Sequence, residues 1–162
     1  VVKEMNRLGI IVDISHANAK TVQDVLETSE APIIASHSSA RALRDHPRNL
    51  TDDQIRAIAD KGGVVQVCLY NSFLSAQPNP TILDAVAHIN HIVRLVGIDH
   101  VGIGTDFDGD DTEKLIGCRA ANELINLTVE LLREGYTPEE LHKLWGDNNS
   151  ISHNRYNSVS MS

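Results

Sequence analysis

The chain has 162 residues, 41% of them apolar and 22% charged, which suits one domain with a sizeable core and is short for two. A formal net charge of −8 excludes the cationic footprint of a nucleic-acid binder, and no apolar run is long enough to cross a bilayer. Two cysteines in a chain of this size make no disulfide scaffold.

Val1 to Leu8 lacks the basic-then-apolar pattern of a signal segment and reads as the end of a helix, so upstream sequence is expected. The compartment stays open between cytoplasm and export. Gly9 to Ile14 is a β-branched run after a glycine and reads as a buried strand. Asn18 to Thr28 reads as a helix with Val22, Val25 and Leu26 on one face. Ala31 to Ser36 is a second strand, with Pro32 at its start where a missing donor is tolerated. Thr51 and Gln54 form a capping box that opens a helix through Lys61, with Ile55, Ile58 and Ala59 inward and Gly62-Gly63 at its end.

Val64 to Leu69 is a third strand. It holds Cys68, read as a small buried hydrophobe. After a loop marked by Pro78 and Pro80, Thr81 to Val96 reads as a long helix with Leu83, Val86, Ile89, Val93 and Val96 at helical spacing, stopped by Gly97. Val101 to Thr105 is a fourth, short strand. Cys118 falls in a loop, near enough to a glycine to sit beside a ligand, and a disulfide with Cys68 stays open. Asn122 to Arg133 is a further helix, and Thr137-Pro138-Glu139-Glu140 starts another with a cap, a proline at the first helical position and a glutamate three after the cap. Residues 147–162 are Asn- and Ser-rich with no apolar period and are expected to form an irregular polar tail.

Strand and helix alternate, which predicts βα units and an α/β fold with a parallel sheet. Four strands suit an open doubly wound sheet or half of an eight-stranded barrel, and the abrupt start favours the half-barrel. Such a half leaves two sheet edges to be paired.

His16 and His37 each sit just past a predicted strand, one βα unit apart. Neighbouring strands lie about 4.8 Å apart, so both imidazoles should emerge side by side at the C-terminal rim, where barrels build their active sites. Two imidazoles at that spacing can share one zinc ion. Asp106 follows the fourth strand onto the same rim, where a carboxylate can act as general acid/base or extra ligand. Asp108 and Gly109 read better as turn formers. Arg48 lies in a rim loop after His37, and a fixed guanidinium can grip a carboxylate with two parallel bonds. Ser38 has no nucleophile elbow around it. His88 and His91, three apart on the long helix, read as surface or packing residues, and His100, His142 and His153 have no evident companions.

Val12-Asp13-Ile14-Ser15-His16, Ser36-His37-Ser38-Ser39-Ala40, His46-Pro47-Arg48-Asn49-Leu50 and Gly104-Thr105-Asp106-Phe107-Asp108-Gly109 stand in one order and spacing. Together they resemble the membrane (renal) dipeptidase family, peptidase M19, most closely its bacterial branch, over roughly residues 1–146. The resemblance implies the C-terminal half of a (β/α)8 TIM-type barrel of the metal-dependent amidohydrolase kind, strands five to eight with their helices. It implies a dipeptide substrate and two Zn²⁺ ions in the complete site. His16 and His37 would be ligands of the second zinc, Asp106 the acid/base at the scissile amide, and Arg48 the grip on the substrate's free carboxylate. Tyr70 and Phe73 would lie near the substrate.

The family also uses a His-x-Asp pair, a bridging Glu and a further His from its first half. This chain carries none of them, so it would hold at most half a metal site and need the missing N-terminal half for activity. A homodimer of the complete parent stays open. After Leu144-Trp145-Gly146 the family pattern continues as Gly-Asn and an apolar helix, whereas this chain turns polar, and the final helix is expected to be lost. The alternatives are another barrel metallohydrolase acting on phosphoesters, and an inert half-barrel.

Overall fold

In a computed structural model, residues 1–109 and 115–150 are described. The opening helix α1 (Val2–Leu8) ends on Gly9, whose φ of 73° is the left-handed conformation glycine adopts at a helix C-terminus. The remaining elements are β1 (Val12–Asp13), α2 (Ala19–Thr28), β2 (Ile33–Ala35), α3 (Asp52–Asp60), β3 (Val64–Val67), α4 (Asn71–Leu74), α5 (Ile82–Val96), β4 (Val101–Ile103), α6 (Leu124–Arg133) and α7 (Pro138–His142). The strands form one parallel sheet in the order β1-β2-β3-β4, with Val12 beside Ile33, Ile34 beside Val64 and Val65 beside Val101. Each strand is followed by helix before the next, the geometry a parallel pair requires. Among the described residues, β1 and β4 pair on one side only.

Short strands suffice because hydrogen bonds continue past them. Ser38 N donates to Gln66 O, Gly104 N to Val67 O and Leu69 N to Thr105 O. The rim loops therefore leave the sheet in register. At Gly104 the ends of β2 and β4 approach closely, since a Cβ there would sit 1.8 Å from Ser36 O. The core lies between sheet and helices: Ile33, Val65 and Val67 from the strands meet Ile55 and Ile58 of α3, Ile89 and Ile92 of α5, and Leu127 and Leu131 of α6. None of the helices in the described residues is long and apolar enough to cross a membrane.

The helix starts follow local chemistry. Asn18 caps α2 by accepting from Thr21 N, and Thr51, Thr81 and Thr137 each make a reciprocal capping box with Gln54, Asp84 and Glu140. In α5 the buried face differs from the expected one: Leu83 is exposed, and Ile82, Ala85, Val86, His88, Ile89 and Ile92 are buried. The buried stripe on α5 includes a histidine because two backbone groups satisfy its ring, as shown below.

The polar stretch after Gly146 is not irregular from residue 147 as expected. Lys143–Asp147 forms a π-type turn, and 148–150 continue helically. Asn148 is buried, and its amide donates to Ile98 O at 2.7 Å and Val101 O at 2.8 Å, closing the start of β4. A buried amide that serves backbone carbonyls carries no apolar period, which is why composition mislabelled it. The rest of the expected tail, 151–162, lies outside the described residues. Cys68 and Cys118 are both buried and free, with no disulfide between them, and burial raises the Cys68 thiol to about 12 and the Cys118 thiol to about 11. Cys118 is therefore a buried core thiol.

Candidate metal and substrate site

His16 and His37 do emerge side by side from the ends of β1 and β2, their ring centroids 4.8 Å apart and edge to face. His16 holds a φ of 71°, and Asp106, past β4, holds 59°. Left-handed backbone is uncommon outside glycine, so two of the candidate residues sit in conformations that the surrounding fold must impose.

His37 is oriented by two residues that the sequence reading quoted but did not use. Asp13 Oδ1 accepts from Ser15 N at 3.0 Å and Ser36 N at 3.1 Å, and Oδ2 accepts from the Ser36 hydroxyl at 2.5 Å. Ser36 Oγ lies 2.8 Å from His37 Nδ1. Since the hydroxyl proton goes to the carboxylate, Ser36 Oγ accepts from Nδ1–H, and the lone pair is left on Nε2. That Nε2 is buried with no hydrogen-bond partner. A carboxylate-led chain behind one ring nitrogen, with the other nitrogen bare, is the arrangement that prepares a histidine for a metal. Burial holds His37 below its ordinary pKa, opposed by Asp106 and Asp13 and assisted by Arg48 and His16, which favours the neutral ring that metal binding requires.

His16 is held differently. Arg48 Nη1 donates to His16 Nδ1 at 3.0 Å, so that nitrogen is occupied by the guanidinium. The remaining donors of Arg48, Nε and Nη2, are buried and without partners. They form one edge of the guanidinium, the edge that binds a carboxylate through two parallel bonds. The face of the same group lies over Phe73, 5.1 Å from the ring centroid. Phe73 in turn packs against Tyr70 and His46, each with centroids at 4.6 Å. Burial, with the guanidiniums of Arg44, Arg48 and Arg41, lowers the His46 pKa against Asp45. Phe73 is thus brought to Arg48, while Tyr70 reaches it through Phe73 and borders a cleft of about 440 Å³ with Arg44, Asn71 and Gln77.

Asp106 is near enough to raise the His37 pKa by its charge. Gly109 N donates to Asp106 O at 3.2 Å, closing the turn expected there, and a Cβ at Gly109 would lie 2.4 Å from Asp106 Oδ1. Gly109 therefore makes room for the carboxylate as well as turning the chain. The sequence reading missed this second role, because a turn signal says nothing of what packs on the turn.

The two imidazoles fit a metal as a pair: one has a bare buried nitrogen, the other lies beside it. Among the described residues, no group of three or more His, Cys, Asp and Glu converges as a metal cage. Two ligands are fewer than the three or four that hold zinc.

The model of the membrane dipeptidase family (peptidase family M19) matches residues 1–150. The chain belongs to the membrane dipeptidase family. An uncharacterized dipeptidase of Schizosaccharomyces pombe is 42% identical over 150 residues, 91% of this chain and 36% of that protein, and a second from the same yeast is 48% identical over 108 residues, 65% of this chain and 26% of that protein. Among solved structures, a metallo peptidase from Rhodobacter sphaeroides liganded with a phosphinate mimic of the dipeptide L-Ala-D-Ala superposes with a TM-score of 0.89 at 34% identity, over 96% of this chain and 45% of that one. The probable dipeptidase PvdM from Pseudomonas aeruginosa superposes with a TM-score of 0.91 at 28% identity, over 98% of this chain and 53% of that one. The chain spans about a third of the length of the first of these yeast relatives and about half that of the M19 structures. Its sheet and helices match part of the M19 dipeptidase fold, and the open doubly wound alternative is set aside.

Proposed function

We propose that this chain supplies one half of the active face of a zinc-dependent dipeptidase. His16 and His37 would hold one of two zinc ions, Asp106 would serve as the acid/base at the scissile amide, and Arg48, with Phe73 and Tyr70, would receive the free carboxylate of a dipeptide. The observation that carries this reading is the set of buried polar atoms without partners, His37 Nε2 with Arg48 Nε and Nη2, contributed by neighbouring rim loops. A bare ligand nitrogen and a bare anion-binding edge are costly to bury unless something binds them. A dipeptide carries both a carbonyl to be activated and a carboxylate to be gripped within one short molecule.

Zinc bound to these imidazoles would supply a Lewis acid for the amide carbonyl and for the attacking water. The chain's own groups do the rest. The Asp13–Ser36 pair keeps the His37 proton on Nδ1. Arg48 orients the substrate through its carboxylate, with Phe73 beneath the guanidinium. Asp106 passes a proton to the leaving amine. Two imidazoles and one carboxylate are too few for a binuclear centre, so the remaining ligands are expected from an N-terminal half outside this chain, and the chain alone is expected to be inactive.

The test is zinc content and hydrolysis of Gly-Leu, on this chain alone and with an N-terminal half from the family co-expressed. The chain alone should hold at most one zinc, weakly, with no turnover, and the pair should hydrolyse the dipeptide. Two zinc ions and turnover on the chain alone would overturn the need for outside ligands. A zinc-loaded pair that leaves dipeptides intact would overturn the dipeptidase reading.

A further inference from the structure

Two buried side chains outside the proposed ligand set make parallel connections. Asn49 Oδ1 accepts from Ser39 N at 3.2 Å, and its amide nitrogen donates to Phe73 O at 2.8 Å and Arg44 O at 2.9 Å. His88, on α5, accepts from Ala40 N at 3.0 Å through Nδ1, and its Nε2 lies 3.0 Å from Leu74 O. A backbone N–H can only donate, so Nδ1 is bare and Nε2–H donates to Leu74. Ser39 is thereby bridged to Phe73, and Ala40 to Leu74. Two consecutive N–H groups face two consecutive carbonyls across a gap that two side chains span.

The two segments joined this way carry the two halves of the carboxylate subsite. Ser39 and Ala40 follow His37 and open the loop that holds Arg48, while Phe73 provides the ring under the Arg48 guanidinium. Asn49 is also the next residue after Arg48. Both braces are nearly sealed from solvent, Asn49 at 2% and His88 at 1% exposed. Removing His88 leaves a donor and an acceptor unpaired, and removing Asn49 a donor and two acceptors, and the segments regain hydrogen bonds by separating enough to admit water. Separation would slide Phe73 from under Arg48 and release the guanidinium from its set orientation.

We propose that Asn49 and His88 are positioning residues that hold Arg48 and Phe73 in register for the substrate's carboxylate. This rests on the reading of Arg48 given under the proposed function. Neither residue touches substrate, so the effect falls on binding more than on the chemical step. It is also confined to substrates with the charge that Arg48 grips.

The experiment compares His88→Leu, Asn49→Leu and Arg48→Met with the unaltered chain, each zinc-loaded and co-expressed with an N-terminal half from the family. The substrates are a dipeptide and its C-terminal amide. His88→Leu and Asn49→Leu should each raise KM for the dipeptide about ten-fold or more, with kcat within about three-fold and KM for the amide little changed. His88→Gln, which keeps one acceptor and one donor, should recover part of the loss. Equal shifts for dipeptide and amide, or a lowered melting temperature with KM unmoved, would overturn the proposal, because a merely structural role predicts that pattern. If Arg48→Met also leaves the dipeptide KM unmoved, the reading of Arg48 fails and the braces' role with it. If Arg48→Met raises KM while the brace variants do not, the braces alone fail. Should the leucine variants not fold, hydrogen exchange in the unaltered protein decides: the Ser39 and Ala40 amides should be strongly protected, and exchange as fast as in a free loop would overturn the bridging.

Discussion

Gly104→Ala should disturb His37 without touching it. A Cβ at residue 104 would sit 1.8 Å from Ser36 O, 2.8 Å from Ser36 C and 2.9 Å from Gln66 Cβ. Ordinary contact begins at 3.4 Å, so Ser36 must retreat by roughly 1.6 Å. The atoms in the way are backbone, pinned by Ser36 N on Asp13 and by Ser38 N on Gln66 O, and cannot swing aside as a side-chain tip would. Overpacking of this kind costs about 1–3 kcal/mol, or a fall of about 2–12 °C in melting temperature for a chain of this size. His37 is the next residue after Ser36, and the retreat pulls Ser36 Oγ from Asp13 or from Nδ1. Loss of such an outer-shell partner typically weakens metal binding by about 10–100-fold. The assay is competition for zinc against a chromogenic chelator, with a thermal melt, on the chain co-expressed with an N-terminal half from the family. Gly102→Ala is the control, because its Cβ would meet the flexible Gln66 side chain at 3.0 Å and should be mild on both readouts. Unchanged zinc affinity and melting in Gly104→Ala, or equal damage in Gly102→Ala, would refute the reasoning.

Asp106→Asn should lower kcat by about 10²–10⁴ while zinc content holds, as loss of a proton-transfer group does; retention of near-normal turnover would remove Asp106 from that role. Burial holds the His88 imidazole below its ordinary value near 6.5, against the opposing bond to Leu74 O. Below that pH the unfolded chain takes up a proton that the folded state resists, so stability present at pH 7.5 declines as pH falls through 6.5. Urea midpoints at pH 7.5 and 5.5 should differ more in the unaltered protein than in His88→Phe, and equal differences would show that His88 does not report on folding. Asn148→Ala should cost about 1–3 kcal/mol in urea unfolding, because the buried carbonyl of Val101 and the partly buried one of Ile98 both lose this donor. A loss under 1 kcal/mol would mean that water replaces the amide.

Much of the placement of the candidate residues could be read from single residues at strand ends. In a parallel sheet the residues past each strand share one rim, so four strand predictions sufficed to bring His16, His37 and Asp106 to one side and Arg48 close by. The reading failed where a residue's partner is remote in sequence. Nothing near His88 announces that it serves Ala40, 48 residues earlier, and nothing near Asn148 announces Val101. An acid at the end of an otherwise apolar strand was the available signal for Asp13, whose partner Ser36 lies 23 residues on.

The sequence by itself determined what local chemistry decides: helix starts at Thr51 and Thr137 from caps whose partners lie three residues away, strands from β-branched runs, and the alternation that demands a parallel sheet. Tertiary structure alone decided which polar atoms end up bare and which are satisfied. His37 and His88 are both histidines below their ordinary pKa through burial, yet His88 finds two backbone partners and braces two loops, while His37 finds a hydroxyl for one nitrogen and nothing for the other. That difference sets the proposed ligand apart from the proposed strut. It arises because burial makes every polar atom seek a partner, and only the packed fold fixes which partners are within reach.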